Sequence, residues 1–139
     1  MEALCLNVTG NLIFVGKGDS NHWIAMDGSP TFKGFEAGSH PLELLLIGLG
    51  GCTGMDVVSL LQKKRIKYDR FEVHLKADRA ADHPKVLTKI DLEYVIYGKG
   101  IDSKAVEESI QLSQDKYCSV SAMVKKSAPV SWTYRIVEN

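Results

Sequence analysis

The segment from residue 41 to residue 64 constrains the fold most, because it is long, apolar and rich in glycine. Apolar residues recur in it at positions 42, 45, 46, 49, 52, 57, 60 and 61, which is broadly a helical period. We therefore predict one long helix that has Ser39 as its N-cap and Pro41 in its first turn. Four glycines lie inside it, at 48, 50, 51 and 54. Each costs up to about 1 kcal/mol relative to alanine in a helix, which indicates that a packed neighbour or a site approaches this backbone closely.

The rest of the chain alternates strand-like and helix-like patterns, which predicts an α+β fold. Three strands precede the long helix, at 3–8, 11–15 and 22–26, with a hairpin-type connection at Thr9–Gly10 and a loop at 16–21. Strands at 70–77 and 86–97 follow, then helices from Asp102 or Ser103 to about Leu112 and at 118–126, and a closing strand at 131–137. The predicted order is β-β-β-α-β-β-α-α-β. No linker or repeat interrupts the 139 residues, so we predict one domain over 1–139.

The charge balance and the apolar runs exclude some partners. Seventeen basic and seventeen acidic residues cancel, so no overall field attracts nucleic acid. The basic run at 63–67 falls where the long helix should end, and cations there complement the helix dipole. Glu43 and Asp56 interrupt the longest apolar stretch, which argues against a membrane span. The N-terminus lacks the pattern of an export signal, and three cysteines do not form a secreted disulfide framework, so we expect a cytoplasmic protein with reduced thiols.

Two of the three cysteines are candidates for a redox pair. Cys52 lies in the glycine-rich helix, and Cys118 opens a short helix. Unpaired N–H groups at a helix N-terminus stabilise a thiolate, whereas Asp56 follows Cys52 by one turn and opposes its ionisation. We therefore expect Cys118 to be the more acidic thiol. Cys5 lies in a strand and is expected to be inert; for the other two, burial as small hydrophobic residues remains the alternative.

The sequence predicts neither a metal site nor a cofactor. The cysteines lack C-x-x-C spacing, no H-E-x-x-H occurs, and the four histidines at 22, 40, 74 and 83 are scattered. The glycine-rich run at 48–54 is superficially similar to a dinucleotide fingerprint, but it follows no strand and lies in a helix.

Both cysteine segments resemble the OsmC/Ohr family. Pro41-Leu42-Glu43-Leu44-Leu45 leads through Gly48 to Cys52, and Cys118-Ser119-Val120-Ser121 follows about 66 residues later. The usual first family motif is Asn-Pro-Glu-x-Leu leading along a helix to a cysteine, and the second is commonly Cys-Pro-Val-Ser at the head of a helix. The order of elements across nearly the whole chain is also similar to that family.

The resemblance implies a thiol-dependent peroxidase for organic hydroperoxides. It makes Cys52 the peroxidatic thiolate that becomes a sulfenic acid and Cys118 the thiol that resolves it to a disulfide. It implies a small hydrophobic hydroperoxide as substrate and a dithiol reductant such as a lipoylated protein. It also implies an OsmC-like fold in an intertwined homodimer, with central helices packed between the sheets and active sites at the subunit interface.

Two departures from the family pattern keep a second function open. Leu42 stands where the family has its glutamate, and Glu43, the candidate catalytic carboxylate, comes one residue later, about a hundred degrees around a helix. The family arginine has no clear match, and Lys17 or Lys33 is the nearest substitute, without the planar guanidinium fork. The alternative is a redox-sensing or apolar-ligand-binding protein with little turnover. As a peroxidase, the chain would line its pocket with apolar residues such as Leu45, Leu49 and Met55.

Overall fold

The computed structural model describes residues 1–138, which form two compact units, Met1–Ile47 and the chain from Gly48 onward. The order of elements confirms the α+β prediction of three strands, a long helix, two strands, two helices and a last strand. There are two three-stranded sheets. One domain over 1–139 stays a prediction.

The first unit is built on an antiparallel sheet of β1 (Ala3–Asn7), β2 (Phe14–Gly18) and β3 (Ile24–Met26), in that order. The predicted strand at 11–15 and its tight turn are wrong, since Asn7 pairs with Phe14 across a six-residue loop. The side chain of Asn7 organises that loop: its amide donates to the carbonyls of Asn11 (2.6 Å) and Ile13 (3.2 Å), and its oxygen accepts from the Gly10 N–H (2.8 Å). These bonds give the backbone N–H and carbonyl groups of the loop hydrogen-bond partners, so the second strand begins only at Phe14.

A buried carboxylate organises the segment after β3. Asp27 is 2% exposed, and its oxygens accept hydrogen bonds from the backbone N–H groups of Gly28 (2.7 Å), Phe35 (2.8 Å) and Ala37 (3.1 Å). Burial, the largest influence, raises the pKa of Asp27, but the three backbone donors outweigh it and lower the pKa below its ordinary value.

The long helix α1 (Pro41–Lys63) begins with Pro41 in its first turn, as predicted, but Ser39 is not its N-cap. The Ser39 backbone instead bonds to the β3 segment, donating to the Ala25 carbonyl and accepting from the Asp27 N–H. The Glu43 carboxylate accepts from the His40 N–H at 2.9 Å, and the Glu43 N–H donates to the His40 carbonyl at 2.9 Å. The bond from the His40 N–H to the Glu43 carboxylate is the glutamate half of a capping box, with His40 at the N-cap position.

By length and composition alone, α1 could cross a membrane. It has 23 residues, and the mean hydropathy of its most apolar 18-residue window is 1.9. The prediction against a span rested on Glu43 and Asp56, and the core helices of soluble proteins also pass this test. Only 22% of the window is buried within the chain, so much of the apolar surface of α1 has no cover in the described residues.

The second unit is built on a sheet with the order β4-β5-β6. β4 (Arg70–Arg79) pairs antiparallel with β5 (Leu87–Tyr97), and β6 (Val130–Val137) pairs parallel with β5. The predicted inward face of β5 is confirmed, since its alternating apolar residues are at most 2% exposed: Ile90, Leu92, Tyr94 and Ile96.

Two of the four glycines of α1 pack closely against the sheet of the second unit, and the other two have no close neighbour within the described residues. A Cβ at Gly50 would lie 2.7 Å from Leu75 Cδ1, and one at Gly54 would lie 3.4 Å from Val73 Cγ2. Gly48 and Gly51 have nothing within 4 Å of that position. The close approach that the glycines predicted therefore comes from strand β4 at two of the four positions.

Two short helices complete the second unit. α2 (Ser103–Leu112) is capped by Asp102, whose side chain accepts from the N–H groups of Lys104 and Ala105. One π-helical turn, Ser113–Tyr117, follows directly, and α3 (Ser119–Val124) begins after Cys118. π-helical turns recur at functional sites, and this one delivers the second candidate cysteine.

Candidate functional site

The structure brings Cys52 and Cys118 together and adds Asp56 to them. The two Sγ atoms and a carboxylate oxygen of Asp56 all lie within 4.8 Å of one another. Cys52 and Asp56 are one turn apart on α1, so their side chains share a face. Cys118 reaches them as the N-cap residue of α3. Cys52 and Asp56 are half-buried, and Cys118 is buried.

Cys118 occupies the predicted helix N-terminus, but its pKa is raised from the ordinary thiol value; that Cys118 is the more acidic of the two thiols stays a prediction. Burial is the largest influence and raises the pKa of the Cys118 thiol, and the neighbouring Cys52 raises it further. Hydrogen bonds from Ser121 lower the pKa but do not outweigh burial. The cause is that Cys118 is only 3% exposed, and desolvation penalises a thiolate more than a six-residue helix stabilises it.

Ser121 is the residue that would stabilise a charged sulfur here. Its backbone N–H donates to Cys118 Sγ at 3.3 Å. Its side-chain oxygen is buried and has no partner of good geometry among residues 1–138, yet its hydroxyl lowers the pKa of Cys118. The neutral Cys118 thiol is only a weak acceptor for that hydroxyl. A thiolate is a far better acceptor, so the free hydroxyl is poised for the ionised form.

A buried network of polar side chains connects Asp56 to the core. Ser113 Oγ donates to Asp56 Oδ2 at 3.0 Å and lies 2.9 Å from Thr53 Oγ1. Thr53 Oγ1 is 2.6 Å from the Tyr94 hydroxyl, and the Gln114 amide donates to both, at 3.1 Å and 2.9 Å. Ser113 has one proton, so its bond to Asp56 makes Thr53 the donor to Ser113. The hydroxyl chain therefore directs its donors toward the carboxylate beside the sulfurs.

Tyr94 anchors this network as a neutral phenol. Burial is the largest influence on its pKa and raises it, and the hydrogen bonds to Thr53 and Gln114 lower it by less. The negative forms of Cys118 and Asp56 raise the Tyr94 pKa further. Electrostatic coupling therefore reaches Tyr94 from the Cys118 sulfur and the Asp56 carboxylate.

The other predicted site residues lie in the first unit, which is described separately. Glu43 caps α1 through His40, a structural role that sequence reasoning did not assign to it. The Lys17 Nζ lies 4.9 Å from the centre of the Trp23 ring and bonds to a side-chain oxygen in the following loop. Lys33 ends a 3₁₀ turn with a φ of 65°. The catalytic role of Glu43 and the substitution of either lysine for the family arginine stay predictions.

Two of the expected pocket-lining residues differ sharply in exposure. Met55 is 75% exposed, whereas Leu49 is fully buried. Leu49 therefore belongs to the core and offers no surface to a substrate.

Sequence reasoning found the two thiols and the position of Asp56 but missed the polar network. The signal for Asp56 is its spacing of four from Cys52. Ser113 and Gln114 carry no such signal, because they lie 60 and 61 residues beyond Thr53 and only the fold brings them to it.

Comparison with known proteins agrees with the fold. A model of the family described as OsmC-like protein matches residues 34–133. Protein YhfA of Escherichia coli K12 is 38% identical over 126 residues, covering 91% of each chain. The OsmC-like protein of Mycoplasma pneumoniae superposes with a TM-score of 0.82 at 16% identity, covering 98% of this chain and 96% of the other. An organic hydroperoxide resistance protein of Elizabethkingia anophelis superposes with a TM-score of 0.71 at 16% identity, covering 99% and 94%. At 16% identity, the last two comparisons establish the fold alone.

Proposed function

This chain belongs to the OsmC-like family, and from that premise we propose that it is a thiol peroxidase that reduces organic hydroperoxides. The observation that carries the proposal is the approach of the Cys52 and Cys118 sulfurs to within 4.8 Å. A disulfide needs about 2.05 Å, so a rotation of the half-buried Cys52 side chain toward Cys118 would have to close the remaining gap.

The exposure of each thiol supports its role. Half-buried Cys52, as a thiolate, attacks the terminal oxygen of the hydroperoxide; the S–O bond forms, the O–O bond breaks, and the alkoxide takes a proton and leaves as the alcohol. Buried Cys118 then attacks the Cys52 sulfenic acid; the S–S bond forms and the hydroxyl leaves with a proton as water. One hydroperoxide is reduced by two electrons, which the two thiols supply. A dithiol, such as a lipoylated protein, then reduces the disulfide by thiol exchange.

The exposed apolar surface supports a homodimer. Along α1, Leu45, Ile47 and Met55 are 43%, 58% and 75% exposed. We propose that a second copy covers this surface in an intertwined dimer, and that a lysine of the partner copy, equivalent to Lys17 or Lys33, steadies the Cys52 thiolate. We place this chemistry in the cytoplasm, where thiols stay reduced.

A redox-sensing or apolar-ligand-binding protein with little turnover is the second candidate function. Two observations in the second unit favour it: burial raises the pKa of Cys118, and the Asp56 carboxylate lies within 4.8 Å of both sulfurs. The first unit also contains a cleft of about 390 Å³ with a mostly apolar lining that includes Leu12, Phe14 and Met26.

Intact mass after one equivalent of cumene hydroperoxide separates the two functions. For the peroxidase, we expect the reduced chain to lose two hydrogens rapidly and to turn over when a dithiol is supplied. Cys118→Ser should stop at a sulfenic acid that dimedone traps, and Cys52→Ser should not react. Cys5→Ser is the matched control and should behave as the parent chain, because Cys5 is exposed on β1 in the first unit.

The opposite outcome is equally specific. An unchanged mass, with retained binding of an apolar dye that Cys52→Ser does not affect, would establish the second candidate. Lys17→Met and Lys33→Met test the missing cation, with Lys99→Met as the control. An unchanged reaction rate in both variants would reject either lysine as the substitute for arginine.

A further inference from the structure

The cluster that holds the two thiols is also a set of metal ligands. We propose that the reduced chain binds one Zn²⁺ ion through Cys52 Sγ, Cys118 Sγ and a carboxylate oxygen of Asp56. Thiolate and carboxylate are ordinary zinc ligands, and three protein ligands with one open position is the arrangement of catalytic zinc sites. The inference goes beyond the proposed peroxidase, because it concerns the reduced protein in the absence of any hydroperoxide.

The geometry needs only a small adjustment. Zn–S bonds of about 2.3 Å in a tetrahedron place two sulfurs about 3.8 Å apart, and a carboxylate oxygen lies closer still. The three ligand atoms are already within 4.8 Å of one another, so a contraction of about 1 Å suffices. Cys52 and Asp56 share one face of α1, and rotation of the half-buried Cys52 side chain can supply most of that movement.

Charge is the strongest argument for a cation at this position. The cluster combines a carboxylate with two thiols that would each become negative when ionised. Asp56 forms no salt bridge within 4.0 Å in the described part of the second unit. Burial of Cys118 makes an unbalanced thiolate costly there, and a divalent ion offsets two of the three negative charges while contacting all three ligands.

The surroundings hold two of the three ligands in place. Ser113 donates to Asp56 Oδ2 at 3.0 Å, and Thr53 supports Ser113 from the core. The Ser121 N–H donates to Cys118 Sγ, and its buried hydroxyl, which has no partner among residues 1–138, would gain an acceptor when that sulfur is ionised by a metal. Such outer hydrogen bonds orient ligands in metal sites, and half-buried Cys52 leaves a path for entry.

Metal binding and disulfide formation both require the thiolates of Cys52 and Cys118, so each excludes the other. Oxidation of Cys52 and Cys118 to a disulfide removes both thiolate ligands and releases the ion. We therefore expect equimolar Zn²⁺ to slow oxidation of the two thiols by diamide, which accepts the two electrons and two protons and becomes the hydrazine; adding a chelator should restore the rate.

Cobalt titration of the reduced, metal-free chain tests the site. We expect one Co²⁺ per chain, a sulfur-to-cobalt charge-transfer band with the visible bands of a tetrahedral site, and full displacement by Zn²⁺. Asp56→Asn should keep the charge-transfer band but weaken Zn²⁺ affinity at least about tenfold, and Cys52→Ala at least about a hundredfold, since loss of supporting groups alone costs 10–100-fold. Cys5→Ser, as the control, should bind as the parent chain does.

Several results would overturn the proposal. They are the absence of a charge-transfer band in the parent chain, a stoichiometry that falls in Cys5→Ser, or an unchanged affinity in Asp56→Asn. Cys118→Ser alters a buried position and can lose its fold, whereas half-buried Cys52→Ala keeps the test decisive. Because no hydroperoxide is used, an inactive peroxidase that binds cobalt would reject the proposed function and leave the metal site standing.

Discussion

Removing one buried hydroxyl measures how much the polar network stabilises the fold. Tyr94→Phe keeps the ring but deletes an oxygen bonded to Thr53 at 2.6 Å and to the Gln114 amide at 2.9 Å. Each such bond contributes about 1 kcal/mol net. Thr53 keeps its bonds to Ser113 and Gln114, so no group loses every partner. We expect the free energy of unfolding to fall by about 2 kcal/mol.

Tyr134→Phe is the matched control, because its hydroxyl bonds to the Ser103 hydroxyl at 2.8 Å near the surface. Surface substitutions usually change stability by less than about 0.5 kcal/mol. Urea unfolding followed by far-UV circular dichroism, at one protein concentration for all variants, gives the free energy of unfolding of both variants. In a thermal melt, Tyr94→Phe should lower the Tm by about 6 °C. A loss in Tyr94→Phe no larger than in Tyr134→Phe would refute the claim that burial makes this network costly to break.

Three further predictions concern backbone and charge. Gly51 shares a face of α1 with Ile47 and Met55, which the proposed second copy covers, so Gly51→Ala should destabilise the dimer although its Cβ meets nothing within the chain. Gly50→Ala should gain nothing, because its Cβ would meet Leu75 at 2.7 Å. Thermal melts compare the two variants, and a Gly51→Ala that stabilised the protein by about 1 kcal/mol, the gain in helix propensity, would contradict the proposed dimer. Asp102→Ala should cost about 1 kcal/mol by removing the cap of α2, measured by urea unfolding against Asp115→Ala. The lowered pKa of Asp27 means that its stabilisation is complete above the ordinary aspartate pKa and is lost as the pH falls through the folded value. Asp27→Asn should therefore unfold more easily than the parent at pH 7, with the difference shrinking in acid titrations.

The sequence predicted elements well where hydrophobic periodicity alone decides them. The alternation in β5 and the helical period of α1 reflect burial of one face, which needs no knowledge of the neighbours. The errors fall where a side chain overrides the local pattern. Asn7 holds the loop that displaces β2, and the Glu43 carboxylate caps α1 at His40 instead of Ser39. Both depend on which of several polar side chains reaches a given backbone group.

The candidate site also contains features that the sequence predicted and features that it did not. The resemblance paired Cys52 with Cys118, and helical spacing placed Asp56 beside Cys52. The acidity of Cys118 could not be predicted, because a helix N-terminus is visible in the sequence and burial is not. The polar network is even harder to predict from the sequence, because the hydroxyls of Thr53, Tyr94 and Ser113 come from three elements that are distant in the sequence.

The two proposals answer one electrostatic requirement in different ways. A reactive Cys52 needs positive charge nearby, because the Asp56 carboxylate lies within 4.8 Å of its sulfur and would repel a thiolate there. A lysine of a partner copy would supply one charge and leave the open side of Cys52 free for a hydroperoxide. A zinc ion would supply two charges but occupy the sulfur itself. Asp56→Asn should therefore affect the two activities oppositely: it removes a ligand and weakens zinc, while it removes a repelling carboxylate and favours the Cys52 thiolate. A variant that lost both activities would contradict this account, because it would make the carboxylate a participant in peroxide reduction.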